Sequence, residues 1–197
     1  MTGSAYDNDD DHHHDFKTIL DGTSLHGWKM SGPGRFVLEN RMAMSEGGMG
    51  LLWYTKKRFR DFILRVNWKA SRREDNSGVF IRFADPDDDP WIAVNTGYEV
   101  QICDAEEPQD GGNATHRTGA IYDFAAPSTT ATSFTSNEPG KWNTFEIHAI
   151  GQNYAVILNN KRITQFTGNR QLEGYIGLQN HDARSRVRFG KISIREL

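Results

Sequence analysis

Phe59-Arg-Asp-Phe-Ile-Leu-Arg-Val-Asn-Trp-Lys-Ala70 alternates: Phe62, Leu64, Val66 and Trp68 form one set, Arg65, Asn67 and Lys69 the other. A period of two marks a β-strand with one face in a core and the other toward solvent. Outward from this stretch the pattern repeats. Val79-Phe-Ile-Arg-Phe83, Gly97-Tyr-Glu-Val-Gln-Ile-Cys-Asp104 and Lys141-Trp-Asn-Thr-Phe-Glu-Ile-His-Ala-Ile150 read as further strands, the last with Trp142, Thr144, Glu146 and His148 on one face. Tyr154–Leu158 and Lys161–Phe166 flank Asn159-Asn160, a type I′ hairpin signal. Gly174–Gln179 and Arg186–Arg195 close the chain as strands, while Phe16 to Trp28, Arg35 to Met44 and Leu51 to Tyr54 open it. Arg35 to Met44 reads as one strand, and no stretch predicts a helix longer than a turn or two. Short strands at this spacing, separated by turn residues, predict an all-β, antiparallel sandwich or jelly roll.

The 197 residues suit one domain, residues 16–197, behind a tail at 1–15. Asp7 to Asp15 of that tail is acidic and histidine-rich and reads as solvated, with His12, His13 and His14 as ligands for a stray ion at most. Mixed charge (23 Lys and Arg against 26 Asp and Glu) argues against a nucleic-acid partner. The single cysteine, Cys103, rules out an internal disulfide or a cysteine-based zinc site. There is no apolar run of membrane-spanning length, so no membrane partner is expected. There is also no leader pattern; a cytoplasmic location is expected, or a periplasmic or secreted one if a leader has been removed.

Three polar clusters stand out. Glu99 and Gln101 share one face of their strand, opposite Val100 and Ile102. The second cluster is His116, Arg117, Thr118 and Tyr122, and the third is Gln179, Asn180, His181 and Asp182. They are expected to meet on the concave face of one sheet. The acidic stretch Asp85-Pro-Asp-Asp-Asp-Pro90 offers hard oxygen ligands for calcium but reads first as a solvated loop. Glu106 to Ala114 and Ala125 to Pro139 read as surface loops, the latter as a wall of the site. His148 reads as structural, and His26, beside Gly27, as a turn residue.

The order of motifs resembles the 3-keto-disaccharide hydrolase family. The resemblance is carried by Leu20-Asp-Gly-Thr-Ser-Leu-His-Gly-Trp28, Arg60-Asp-Phe-Ile-Leu-Arg65, Asn76-Ser-Gly-Val-Phe-Ile-Arg82, Gly97-Tyr-Glu-Val-Gln-Ile102, Thr118-Gly-Ala-Ile-Tyr122, Gly140-Lys-Trp-Asn-Thr-Phe-Glu146 and Gly177-Leu-Gln-Asn-His181. It implies a concanavalin-like lectin/glucanase fold with a sugar groove. It departs from the family pattern at Asp182, where glycine is usual, and at Val187-Arg-Phe-Gly-Lys191.

The implied substrate is a 3-keto-glycoside, made upstream by a sugar 3-oxidoreductase. Its C3 carbonyl acidifies the hydrogen on C2, so a base can open an elimination that expels the group on C1, and water then adds to the glycal. That chemistry needs a base, donors for the enolate oxygen and an acid for the leaving group. The expected catalytic groups are His116 as base, Glu99 as rival base or metal ligand, and His181 as acid or second metal ligand. Arg82, Gln101, Tyr122 and Gln179 are expected to hold the sugar, and Trp53 to stack on it. A divalent metal (calcium, manganese or similar) is left open as a cofactor acting on the enolate. Two other readings stand beside this one: a non-catalytic carbohydrate-binding module, and a retaining glucanase. The glucanase reading ranks last, because Glu99-Val-Gln-Ile-Cys-Asp104 lacks its further acids in register.

Overall fold

The computed structural model describes residues 15–105, 112–128 and 136–197. The histidines of the tail and parts of the two long polar loops lie outside them. Among the described residues, thirteen strands build two antiparallel sheets, confirming the all-β sandwich. In the larger sheet β1 (Lys17–Leu20) pairs β13 (Val187–Glu196). The remaining order is β11 (Lys161–Thr167), β10 (Asn153–Leu158), β9 (Asn143–Ile150), β6 (Phe62–Ala70), β13, β4 (Met42–Glu46) and β3 (Arg35–Glu39). The smaller sheet runs β2 (Trp28–Ser31), β5 (Gly50–Tyr54), β12 (Tyr175–Asn180), β7 (Ser77–Phe83) and β8 (Tyr98–Ile102). No described helix is long and apolar enough to cross a membrane.

Alternation places the core between the sheets. Phe62, Leu64, Val66 and Trp68 of β6 meet Phe145, Ile147 and Ala149 of β9 from one side and Val79, Ile81, Val100, Ile176 and Leu178 from the other. Each such aliphatic or phenyl side chain contributes about 1.5–3 kcal/mol by leaving water. The outward residues Thr144, Glu146 and His148 stay at the surface; His148 pairs with Glu146 at 2.8 Å.

Two local readings are corrected. Arg35 to Met44 is a hairpin rather than one strand: Asn40 and Arg41 take positive φ (49° and 59°) between β3 and β4. Asn159 and Asn160 do the same (49° and 68°) between β10 and β11, as their chemistry predicts. An arginine at the second turn position hid the earlier hairpin.

The other correction is Arg82. It sits at a β-bulge with φ 52°, where the β12–β7 register jumps from Tyr175↔Phe83 to Ile176↔Ile81. The extra residue reverses the alternation, so Phe83 joins Phe80 on the outer face and Arg82 turns away. Its guanidinium is fully buried. It donates to the carbonyls of Arg60, Gly151 and Ala149, to Tyr154 Oη (2.9 Å) and to Asp61 Oδ1 (2.9 Å). Arg82 therefore ties the β6 and β9–β10 ends together, and its donors are spent within the protein rather than presented to a ligand as expected.

Candidate active site

The site lies on the face of the smaller sheet that points away from the core. β8 is its edge strand, and its two faces separate cleanly. Tyr98, Val100 and Ile102 enter the core, while Glu99 and Gln101 stand on the other face. The outer edge of β8 is closed by the segment 118–122. Gly119 N donates to Gln101 O (2.8 Å), Gln101 N to Ala120 O (3.0 Å), and Tyr122 N to Glu99 O (3.0 Å). These bonds deliver Tyr122 beside Glu99.

A six-residue helix, α1 (Trp91–Thr96), covers part of the same face. Beneath it Leu51, Trp53, Phe80 and Phe83 form a second, small apolar cluster with Ala93 of the helix itself. Trp53 is 5% exposed, donates from Nε1 to Ser31 Oγ (3.1 Å) and meets Tyr175 edge-on at 4.8 Å. It is core here and has no free ring face for a sugar. The aromatic at the cavity mouth is instead Trp91, 57% exposed. The sequence signal for it was a tryptophan directly behind an acidic, proline-bounded loop, a place where burial is not expected. The acids of that loop serve local structure: Asp85 accepts from Asp87 N (3.0 Å), Asp89 from Trp91 N (2.9 Å), and exposed Asp88 pairs with Lys29 (3.4 Å).

The cavity between α1 and the strands measures about 160 Å³. Glu99, Gln101, Tyr122, Gln179 and His181 all line it, joined by Asn76. Phe80, Leu51, Val94 and Trp91 supply its apolar wall. Five of the expected residues are thus brought together. His116 is not among the lining. It lies behind Tyr122, its ring stacked on the tyrosine at 4.3 Å and 12°, with Nε2 2.6 Å from Asp123 Oδ1. Only 8% of it is exposed. It supports Tyr122 and Asp123, so the base expected from the sequence stands one layer too deep.

Glu99 is the unusual group. It is buried, and the lost hydration pushes its carboxyl up to about 8, with the nearby Asp123 charge adding to the rise. Neutral pH therefore favours its protonated form. The Gln101 amide orientation that satisfies both neighbours has Nε2 donating to Glu99 Oε1 and Ser77 O, each at 3.1 Å. Space for the carboxyl is made by Gly78, opposite Gln101 in register: a Cβ there would overlap Glu99 Oε1 and stand 2.6 Å from its Cγ. Gly78→Ala is therefore expected to displace the carboxyl toward water and lower its pKa well below 8. A carboxyl carbon NMR titration reads this directly, and an unchanged midpoint would refute the packing argument.

His181 follows β12 and is held by its neighbour. Its Nδ1 lies 2.9 Å from Asp182 Oδ2. Burial would raise Asp182, but bonds from His181, from Arg184 N and from Ser185 Oγ and N outweigh it. They hold the carboxyl well below the usual range. Asp182 is therefore an anion facing Nδ1–H, which leaves Nε2 as the basic nitrogen. The residue that departs from the family pattern is the one that orients the histidine.

Among the described residues no three His, Cys, Asp or Glu side chains converge, so the donor set that usually holds a divalent ion is not assembled there.

Comparisons with known proteins agree with the fold. A crystal structure from Parabacteroides distasonis ATCC 8503, provisionally named a glycosyl hydrolase, is 24% identical with a TM-score of 0.76; the match covers 93% of this chain and 100% of that one. A second from the same organism, named likewise, is 20% identical with a TM-score of 0.75, over 92% and 94% of the chains. A carbohydrate binding module from Bacillus subtilis is 15% identical with a TM-score of 0.58, over 86% and 96%. None of the curated proteins matches the chain. The family model for the 3-keto-alpha-glucoside-1,2-lyase-like domain matches residues 15–195. With nearly its whole length matched, the chain belongs to the 3-keto-alpha-glucoside-1,2-lyase-like domain family.

Proposed function

We propose that the protein cleaves 3-keto-glycosides by elimination followed by hydration, with His181 as base and Glu99 as acid. The observation that carries this is a buried carboxyl, held toward its protonated form by lost hydration, that shares one cavity with a carboxylate-oriented histidine. A carboxyl held toward its protonated form by burial can serve as the acid at neutral pH, and an imidazole oriented by a carboxylate can serve as the base.

His181 Nε2 takes the hydrogen from C2, and the electrons form the enolate of the C3 ketone. As the enolate collapses it forms the C1–C2 double bond and breaks the C1–O bond. The departing oxygen takes the Glu99 proton. Gln179 and Asn76 line the same cavity as amide donors for the sugar and keto oxygens. In the second half the roles reverse: the Glu99 carboxylate takes a proton from water as its oxygen bonds to C1, and the His181 imidazolium returns a proton to C2. Both groups end as they began. No step uses a metal, so a chelator should leave the rate unchanged.

The test is release of the leaving group from a 3-keto-glycoside and from its unoxidised parent, run in deuterium oxide. Release from the keto sugar alone is expected, with solvent deuterium entering C2 of the early product to the extent that the His181 proton exchanges before it is returned; cleavage of the parent would refute the mechanism. The rate should also fall above about pH 8, as Glu99 loses its proton. If both sugars bind and neither reacts, the protein is a binding module, a reading that exposed Trp91 at the cavity mouth favours.

A further inference from the structure

The outward face of the larger sheet carries a groove of its own, across the core from the Glu99 cavity. It measures about 520 Å³ and is lined by Arg65, Thr144, Glu146, Ile157 and Asn160. Register sets its floor: Arg65 of β6 stands opposite Glu146 of β9, and Asn67 opposite Thr144. Ile157 of β10 pairs with Glu146 on the other side, and Asn160 comes from the β10–β11 turn. Two residues before Thr144, Trp142 extends the same row just ahead of β9. Its indole is 43% exposed. Gly190 of β13 gives it room against the sheet, since a Cβ there would stand 2.9 Å from its Cη2. We propose that this groove and Trp142 form a second carbohydrate site, which holds a neutral oligosaccharide along β9, apart from the active-site cavity.

The floor is ordered before any ligand arrives. The Arg65 guanidinium lies 3.9 Å from the Phe16 ring centroid and donates from Nε to Glu146 Oε2 (2.7 Å). His148 Nε2 is 2.8 Å from the other carboxyl oxygen. Burial alone would raise the Glu146 carboxyl, but the bonds from His148 and Arg65 outweigh it and hold it below its ordinary value, so it stays an acceptor. Thr144 Oγ1 donates to Asn67 Oδ1 (3.1 Å), which leaves Asn67 Nδ2 as a donor on offer. A fixed planar donor beside a fixed carboxylate matches adjacent hydroxyls, and bonds to charged partners are the stronger kind. Groups already held in place lose little freedom when a ligand docks. Trp142 adds a flat apolar surface for the C–H face of a sugar ring.

The same features define the occupant. It is neutral, because Arg65 and Glu146 cancel each other's charge within the groove. It is a chain rather than a single ring, because Trp142 and Glu146 are four residues apart in extended backbone, about 13 Å. It is a glycan rather than a protein, because a protein interface buries an apolar core and Ile157 is the one apolar side chain among the described residues that line this groove.

The test titrates the full chain with cellohexaose, laminarihexaose, maltohexaose and xylohexaose, with glucose as control, while amide and indole NMR signals are followed. Shifts at the Trp142 indole N–H and at Thr144, Glu146 and Asn160 are expected with at least one of the chains and not with glucose. Trp142→Ala should weaken that chain about tenfold while the Gln179 and His181 signals stay in place. Arg65→Gln should weaken it as well from the other end of the site, so the test does not hang on one variant. Shifts confined to Gln179 and His181, or none with any of the chains, would overturn the proposal. Shifts on this face with polygalacturonate alone would also overturn it, since they would mark a charge contact. The readout needs no turnover and is independent of the reaction proposed above.

Discussion

Replacing Glu99 by Gln is expected to lower kcat by about 10²- to 10⁴-fold, the usual contribution of a positioned proton donor, while making the folded protein more stable at alkaline pH. The two effects share one cause. The carboxyl rises from an ordinary 4.5 to about 8 because burial strips its hydration. Between those two values the folded state holds a proton that the unfolded chain has released, so stability falls as pH climbs through the window and is flat above it. A shift of this size corresponds to about 5 kcal/mol at most, at about 1.4 kcal/mol per unit. Local relaxation around the ionised group would reduce it to a few. Glutamine keeps the shape and an acceptor for Gln101 but never ionises. The unfolding midpoint of Glu99→Gln should therefore match that of the native protein near pH 4.5 and exceed it by about 5–10 °C at pH 9. A gap that does not widen with pH would show that Glu99 is not buried as described. A wider gap with full activity would keep the burial and remove Glu99 from the chemistry.

The fold was legible because β6, β8 and β9 each carry an unbroken period of two. Glu99 and Gln101 were legible for the same reason: with Val100 and Ile102 in the core, parity puts the two polar residues together on the other face. What parity cannot report is depth. His116 and His181 look alike in the sequence, yet one stacks behind Tyr122 and the other borders the cavity. Trp53, expected to stack on the sugar, is core because α1 lies over it, and the same helix carries Trp91, for which the sequence suggested no role, to the rim. That helix is six residues long and has neither a periodic pattern nor a side-chain cap at Pro90, so its sequence carries no signal for it. The Asp182 pairing was visible only as a departure, and its meaning came with the 2.9 Å bond to His181.

Arg82 carries the second large effect, and it falls on the fold rather than on the sugar. Parity would set its side chain beside Phe80 on the outer face; one bulged residue at φ 52° sends it the other way. A buried guanidinium is tolerable only when its donors are used, and here three backbone carbonyls, Tyr154 Oη and Asp61 use them. Arg82→Met removes the charge but leaves those acceptors without donors, in a region closed by Phe62 and Tyr154. A destabilisation of about 3–5 kcal/mol is expected, seen as a lower denaturant midpoint. Arg82→Lys should recover only part of it, since an ammonium cannot fork between Arg60 O and Asp61 as the planar guanidinium does. The discriminating readout is KM, measured at a temperature where both variants remain folded. Arg82 does not line the active-site cavity, so KM should stay within about twofold of native; a tenfold rise in KM with an unchanged unfolding midpoint would restore Arg82 to the sugar site and overturn the bulge argument.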